Sequence, residues 1–320
     1  MSSSESAEVT MTRRLLLDVD TGVDDAVAIA LASRLESHEL VALTTVAGNV
    51  PVEYATANTL AVAAWMGIDA PVFRGMDEPL SRPLFDAREH HGFDGLGGWI
   101  PPVDPVPLQD ETAPEAIVRL AREHQGNITF AFVGPLTNLA VALSLEPRVA
   151  EWVDRLVIMG GAFFVRGNTT PAAEFNIYAD PEAAAKVARS RMRATWVPLD
   201  VTHKTGITRS DWDRLVDSDD RGHVLVREVM RRSLTELNRP RFHLHDPLAV
   251  AAVESPEVVT TRQGRVLVDT GNFERGRTLL VDAVETDAVA QAAVTVDHGR
   301  FGTILERLAP VQTDGGLGIA

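Results

Sequence analysis

Asp18, Asp20, Asp24 and Asp25 fall within eight consecutive residues, DVDTGVDD. The segment follows a short apolar run, Leu15–Val19, and opens a stretch of helical periodicity. Acids at a helix N-terminus are favoured by the unpaired amides and the macrodipole, typically by under ~1 kcal/mol each. Capping explains one or two of these carboxylates but not four, because two at ~4 Å repel by roughly 4 kcal/mol at an effective dielectric near 20. A bound divalent cation is the simplest remedy, and an all-oxygen donor set favours Ca²⁺ or Mg²⁺. An EF-hand loop counted from Asp18 needs Gly at its sixth place and Glu at its twelfth. Those places hold Val23 and Ile29, so that motif fails. The pair Asp18-Val19-Asp20 also resembles the Asp-x-Asp of haloacid-dehalogenase-like phosphatases. Gly22 stands where that family has Thr, and the chain has only two lysines, Lys186 and Lys204, to supply its downstream Lys.

Other polar groups recur at similar places. Asn49 follows Gly48 after an apolar run and suits a turn. His90 and His91 lie in a glycine-rich stretch, HHGFDGLGG, that could serve as a flap. Thr137, in GPLTN, has the default reading of a helix N-cap, although its carbonyl could ligate a metal. Glu174, Phe175 and Asn176 follow a long irregular stretch that contains Gly160, Gly161, Gly167 and Asn168; one carboxylate and two amides suit sugar hydroxyls. His245-Asp246-Pro247 begins a helix, with Asp246 as an ordinary cap and Pro at N1. Asp246 is also the one acid in that region able to complete a metal site from the far end of the chain.

These residues are useful only if the fold gathers them. Apolar runs at Leu15–Val19, Leu40–Val46, Ile128–Val133, Leu156–Met159 and Thr195–Leu199 alternate with helical patterns. The helix Asp24–Leu35 has Val27, Ala30, Leu31 and Leu35 on one face, Pro51 sits at a helix start, and Thr112 and Glu115 have capping-box spacing. Asp180-Pro181 opens a further helix. The pattern predicts an α/β fold: a Rossmann-like, mainly parallel sheet covered by helices. In such sheets ligands sit beyond the carboxyl ends of the strands, where Asp20, Asn49, Thr137 and Asp200 fall. Gly264–Asp282 suggests a hairpin turning at Gly271-Asn272, hence antiparallel additions. Residues 204–245, richer in charge, suggest a helical lid. The Ser-rich, acidic residues 1–12 are expected to be a disordered tail, residues 13–310 a single domain, and residues 311–320 a flexible C-terminal tail.

The chain of 320 residues is 45% apolar with a formal net charge of −15 and no Cys. No disulfide or thiolate site can form. The acidity argues against nucleic acid or an anionic membrane as partner, but not against a nucleoside, which has no phosphate. The first residues lack the basic and apolar regions of a signal peptide, and a cytoplasmic protein is expected.

Taken together, the segments DVDTGVDD, TVAGN (Thr45–Asn49), GPLTN (Gly134–Asn138), MGG with EFN (Met159–Gly161, Glu174–Asn176) and HDP (His245–Pro247) resemble the inosine–uridine-preferring nucleoside hydrolase family. They occur in the family's order and span roughly residues 14 to 310. The resemblance implies calcium-dependent hydrolysis of the N-glycosidic bond of ribonucleosides, giving ribose and free base through an oxocarbenium-like transition state. It implies a Ca²⁺ ion on Asp20, Asp25, the Thr137 carbonyl and Asp246, with a water and the ribose 2′- and 3′-hydroxyls completing the shell. Asp20 would also be the general base toward that water, and Asp18 a support behind it. Asp24, Asn49, Asn168, Glu174 and Asn176 would hold the ribose, and Phe175 would lie beside them. His245 would be a candidate acid for the leaving base, and His91 the flap histidine. A role in nucleoside catabolism or salvage and a homo-oligomer, dimer or tetramer, are also implied.

Two departures matter. Thr21 stands where many members have Pro, and both suit a turn. The base side is expected from residues 225–243, where many members place aromatic rings; here the stretch holds Leu225 to Met230, Arg231, Thr235, Asn238, Arg239 and Phe242, and no Tyr. Competing readings are a nucleoside- or ribose-binding protein without turnover and a metal-dependent phosphohydrolase using Asp18 and Asp20. A phosphorylase is disfavoured, because no Arg or Lys falls in the matched motifs to hold phosphate.

Overall fold

The computed structural model describes residues 12–283 and 290–308. The tails expected at 1–12 and 311–320 lie outside these residues, apart from Thr12. Twelve strands follow in chain order. They are β1 (Arg13–Val19), β2 (His38–Thr45), β3 (Val72–Arg74), β4 (Leu108–Gln109), β5 (Ile128–Phe132), β6 (Arg155–Met159), β7 (Ala194–Val197), β8 (Ile207–Thr208), β9 (Arg241–Phe242), β10 (Val259–Val268), β11 (Thr278–Val281) and β12 (Ala290–Val296). Ten of them form one sheet in the order β11-β10-β12-β7-β6-β5-β1-β2-β3-β4, and β8 pairs with β9. Pairing is parallel from β12 across to β4, while β10 runs antiparallel to both β11 and β12. The expected mainly parallel sheet with antiparallel additions is therefore present, and the hairpin turns between Val268 and Thr278.

The order places a topological switch at β1 and β5. The chain winds from β1 outward to β4, returns to β5 on the other side of β1, and winds away through β6 and β7. At such a point the connections leave in opposite directions and open a crevice at the carboxyl ends. Asp20 follows β1 directly, and Thr137 follows β5 after a four-residue turn, so two distant segments meet there.

Alternation along the strands divides the core. Leu15, Leu17 and Val19 face a layer formed by helices Val23–Ala32, Val52–Met66, Arg221–Arg231 and His245–Glu254. Leu16, Phe130 and Phe132 face helices Ala113–Glu123, Thr137–Leu145 and Pro181–Arg189. The expected one-faced helix after the aspartates instead spans Val23–Ala32 and is buried at all ten residues. It runs between the sheet and the helices at 52–66, 221–231 and 245–254, so no side of it meets water. The Thr112–Glu115 capping box forms as its spacing predicts.

Residues 204–245 are largely helical, with a π-helical turn at Arg232–Glu236 and the small β8–β9 ribbon. Their main helix packs into the core through Leu225, Val226, Val229 and Met230. Only the end of the segment, from Arg239 onward, reaches the carboxyl-edge crevice. Among the described residues no helix is long and apolar enough to cross a membrane.

Asp180 ties several of these elements together. One carboxylate oxygen caps helix Pro181–Arg189 through Ala183 N at 3.0 Å; the other accepts from Leu80 N at 2.9 Å and from Thr137 Oγ1 at 2.8 Å. Replacing it by Ala removes a cap and strands two donors, which should cost about 2–4 kcal/mol. Asp180→Ala should lower the urea midpoint by that free energy divided by the denaturant slope, with the slope itself unchanged; an unshifted midpoint would contradict this role.

Candidate active site

The carboxyl edge of the sheet carries a cavity of about 730 Å³, a size typical of small-molecule sites. Its floor is the aspartate cluster. Asp18, Asp20 and Asp25 are fully buried, and Asp24 and Asp246 nearly so. Carboxylate oxygens of Asp24, Asp25 and Asp246 lie within 4.8 Å of one another. Of the cluster, Asp24 and Asp246 line the cavity, and Asp20 and Asp25 lie beneath it.

Backbone and amide donors hold these acids in place. Asp25 accepts from the backbone N–H of Asp20 at 3.1 Å and of Gly22 at 2.9 Å, and from Asn49 Nδ2 at 3.0 Å. Asp20 Oδ2 accepts from Asn49 N at 2.7 Å, while its Oδ1 is buried without a hydrogen-bond partner. Asp18 Oδ2 accepts from Thr44 Oγ1 at 2.6 Å and Asn138 Nδ2 at 2.7 Å. Asp18 is thus enclosed behind the cluster and does not line the cavity, which removes the ground for an Asp18-based phosphohydrolase.

Two capping readings are corrected here. The N-cap of helix His245–Glu254 is Leu244, so Asp246 sits inside the first turn with Pro247 after it, its carboxylate turned toward the cluster. The N-cap of helix Thr137–Leu145 is Leu136, and the Thr137 hydroxyl is spent on Asp180. Both residues are therefore displaced by one or more positions from the capping geometry that their types suggest.

Electrostatics mark the cluster as incomplete by itself. Burial, followed by the charge of Asp25, pushes Asp20 well above the usual carboxylate range and Asp24 up to about 7. Burial and the neighbouring Asp24 do the same to Asp246, and burial raises Asp18 to about 7. Mutual raising of this kind is relieved by a cation. The donor set fits a hard divalent metal: buried carboxylates, one of them with an orphaned oxygen, and no nitrogen or sulfur ligand among them.

The rest of the lining is mixed in character. Asn49, Asn168, Glu174, Phe175 and Asn176 contribute to it. Glu174 caps the helix Phe175–Ala179, accepting from Asn176 N at 2.9 Å and Ile177 N at 3.2 Å, and also from Gly161 N at 3.1 Å. Burial raises its pKa to about 7. Asn176 Nδ2 donates to Val133 O at 2.6 Å, and Asn168 Oδ1 accepts from Phe175 N at 2.9 Å. His91, His203, His243 and His245 line the cavity as well, with Arg239 and Phe242. His245 Nδ1 lies 2.8 Å from Thr202 Oγ1, and burial lowers its pKa well below the usual value.

Of the stretch in which the base side was sought, Leu225 to Met230 is turned into the core or away from the cavity, and the run from Arg239 to His243 lines it. His203 and His243 were not foreseen as site residues, nor was Phe85, whose ring stands 6.2 Å from that of Phe175. The rings of His203, His243 and His245 lie 5.4 to 5.7 Å apart. The spacing His243-x-His245 was the one sequence signal for this group, since both flank Leu244 where the chain enters a helix.

Comparison with known proteins supports one assignment. Residues 15–303 match the family model described as inosine-uridine preferring nucleoside hydrolase. The chain is 35% identical over 301 residues to the pyrimidine-specific ribonucleoside hydrolase RihA of Shewanella woodyi, covering 92% of this chain and 96% of that one. It is 36% identical over 309 residues to the inosine-uridine preferring nucleoside hydrolase of Crithidia fasciculata, covering 93% and 98%. Among solved structures, the plant nucleoside hydrolase PpNRh1 superposes with a TM-score of 0.87 at 33% identity, covering 94% and 100%. The purine-preferring ribonucleoside hydrolase from Gardnerella vaginalis gives 0.87 at 31%, covering 92% and 98%.

Two outcomes follow from this geometry. A Cβ at Gly48 would stand 2.1 Å from Asp20 Oδ2 and 2.8 Å from Pro135 Cδ, so Gly48→Ala should displace Asp20 and abolish turnover; a variant with full kcat would show that Asp20 can move freely. Glu174, an acid with a raised folded pKa, favours folding fully only below its unfolded value near 4.5, and that advantage is lost as pH rises to about 7. The metal-free protein should therefore lose up to about 3 kcal/mol from this group between those pH values. Denaturant titrations from pH 4 to 8 should show a shallower decline in Glu174→Gln, and parallel curves would exclude the assignment.

Proposed function

Since the chain belongs to the inosine-uridine preferring nucleoside hydrolase family, and is thereby an N-glycosyl hydrolase acting on ribonucleosides, we propose a division of labour among its own residues. The observation that carries it is the lining of the cavity, in which buried carboxylates and amide groups are joined by imidazoles and guanidiniums. Breaking an N-glycosidic bond builds positive charge on the ribose and negative charge on the departing base. A pocket that offers carboxylates and amide oxygens to the sugar and hydrogen-bond donors to the base stabilises the transition state more than the substrate.

Calcium is the metal proposed, held by Asp20, Asp25, Asp246 and the Thr137 carbonyl. When bound it would orient the attacking water, lower its pKa and anchor the 2′- and 3′-hydroxyls. Asp20 is the general base. Its unpartnered Oδ1 is available to accept the proton of that water. Asp24, which lines the cavity beside Asp246, faces the ribose together with Asn49, Asn168, Glu174 and Asn176. Phe175 covers the sugar from the same wall. His245 donates to the leaving base, oriented through Thr202, and His91 closes over the base from the short helix Arg88–His91.

A nucleoside panel with and without chelator tests reaction and metal together. Ribose should be released from inosine or uridine, release should stop on chelation and resume with Ca²⁺, and Asp20→Ala should lower kcat by at least about 10³, as expected when a base is lost. Ca²⁺ should also raise the melting temperature of the chelated protein, and by less in Asp246→Ala. A protein that binds nucleosides with measurable heat but releases no ribose would overturn the reading.

A further inference from the structure

Two histidines on the cavity wall are held by backbone groups of opposite kind. His91 Nδ1 lies 3.0 Å from the backbone N–H of Val23, which can only donate. Nδ1 must therefore present its lone pair, and in the neutral ring the proton sits on Nε2. His243 Nδ1 lies 3.1 Å from the carbonyl oxygen of Thr205, which can only accept. Here the proton sits on Nδ1 and the lone pair is on Nε2.

Neither arrangement is easily inverted. The Val23 amide is in the first turn of helix Val23–Ala32, so a second proton on His91 Nδ1 would meet both an N–H and the positive end of the helix. The Thr205 carbonyl belongs to a buried residue whose own hydroxyl is tied to Thr202 O and Leu244 O, which fixes the acceptor in place. Burial lowers the pKa of both rings, which favours the neutral form of each. The nitrogen left free is then a donor on His91 and an acceptor on His243.

We propose that His91 and His243 are the specificity-determining pair at the base end: His91 Nε2–H is a fixed donor to an acceptor atom of the base, and His243 Nε2 is a fixed acceptor of a base N–H. The proposal rests on the cavity being the nucleoside site described above. It assigns His243 a role that its position in the chain does not announce, and it gives the flap residue His91 a defined hydrogen bond to the base. A base with both a carbonyl and a ring N–H satisfies the pair. A base whose ring N–H is blocked leaves His243 Nε2 buried against it with no partner, a mismatch that polar sites reject strongly.

Two measurements on the calcium-loaded full chain test this. In ¹⁵N-histidine-labelled protein, with resonances assigned by their loss in His91→Gln and His243→Gln, His91 should show the Nε2–H tautomer and His243 the Nδ1–H tautomer. Either ring in the opposite tautomer overturns the proposal, whatever the activity. Second, kcat/KM for uridine should exceed that for N3-methyluridine, and inosine that for N1-methylinosine, by at least about tenfold. In His243→Leu both ratios should fall toward one. Ratios near one in the unaltered protein, or unchanged in a folded His243→Leu, overturn this role alone. Absence of ribose release from every nucleoside overturns the underlying nucleoside reading instead.

Discussion

Burying several carboxylates in one place sets the terms for everything around them. Asp18, Asp20, Asp24, Asp25 and Asp246 are all within the protein interior, where the charged form of each is penalised by lost hydration and by its neighbours. The surrounding structure answers with directed donors. Backbone amides of Asp20, Gly22 and Asn49 and the side chains of Asn49, Thr44 and Asn138 all point at carboxylate oxygens. Their number still falls short, as the unpartnered oxygens of Asp18 and Asp20 record. That deficit is what a hard cation would fill, and it is why the arrangement is costly as a fold yet useful as a site.

The fold accommodates this cost through close backbone approach. Asp20 is flanked by Gly48 and Gly134, and a Cβ at either would stand within about 3 Å of its carboxylate. The glycines thus let the turns after β2 and β5 approach the turn after β1, which a side chain would prevent. The switch in strand order brings those three turns together in the first place. Helix Val23–Ala32, buried on all sides, then holds Asp24 and Asp25 rigidly, and helix His245–Glu254 packed against it delivers Asp246.

The imidazoles of the cavity are organised by different means. Its rings come from the end of the 204–245 segment, from the short helix Arg88–His91 and from His203, and they are oriented by single hydrogen bonds to Val23, Thr202 and Thr205. Phe85 and Phe175 add an apolar ledge on the amide side, with Phe85 also packed edge-on against Tyr178. Carboxylates fixed by many bonds and imidazoles fixed by few are consistent with a common sugar position and a more variable base position.

What the sequence determined by itself was the set of groups whose meaning lies in local spacing. DVDTGVDD after an apolar run announces too many acids for capping, and alternating strand and helix patterns announce a parallel sheet whose carboxyl edge collects Asp20, Asn49 and Thr137. The hairpin near Gly271 was legible for the same reason, because turn chemistry and alternation act over a few residues. Only the tertiary structure decided that Asp18 is enclosed, that Asp246 and Thr137 are not caps, and that helix Val23–Ala32 has no exposed face. It also decided that Leu225 and Met230 belong to the core while His203 and His243 line the cavity. Those outcomes depend on which elements pack together across hundreds of residues, and on whether a backbone N–H or C=O happens to face a ring. Burial and hydrogen-bond partnership are properties of the assembled layers, and periodicity along the chain carries no record of them.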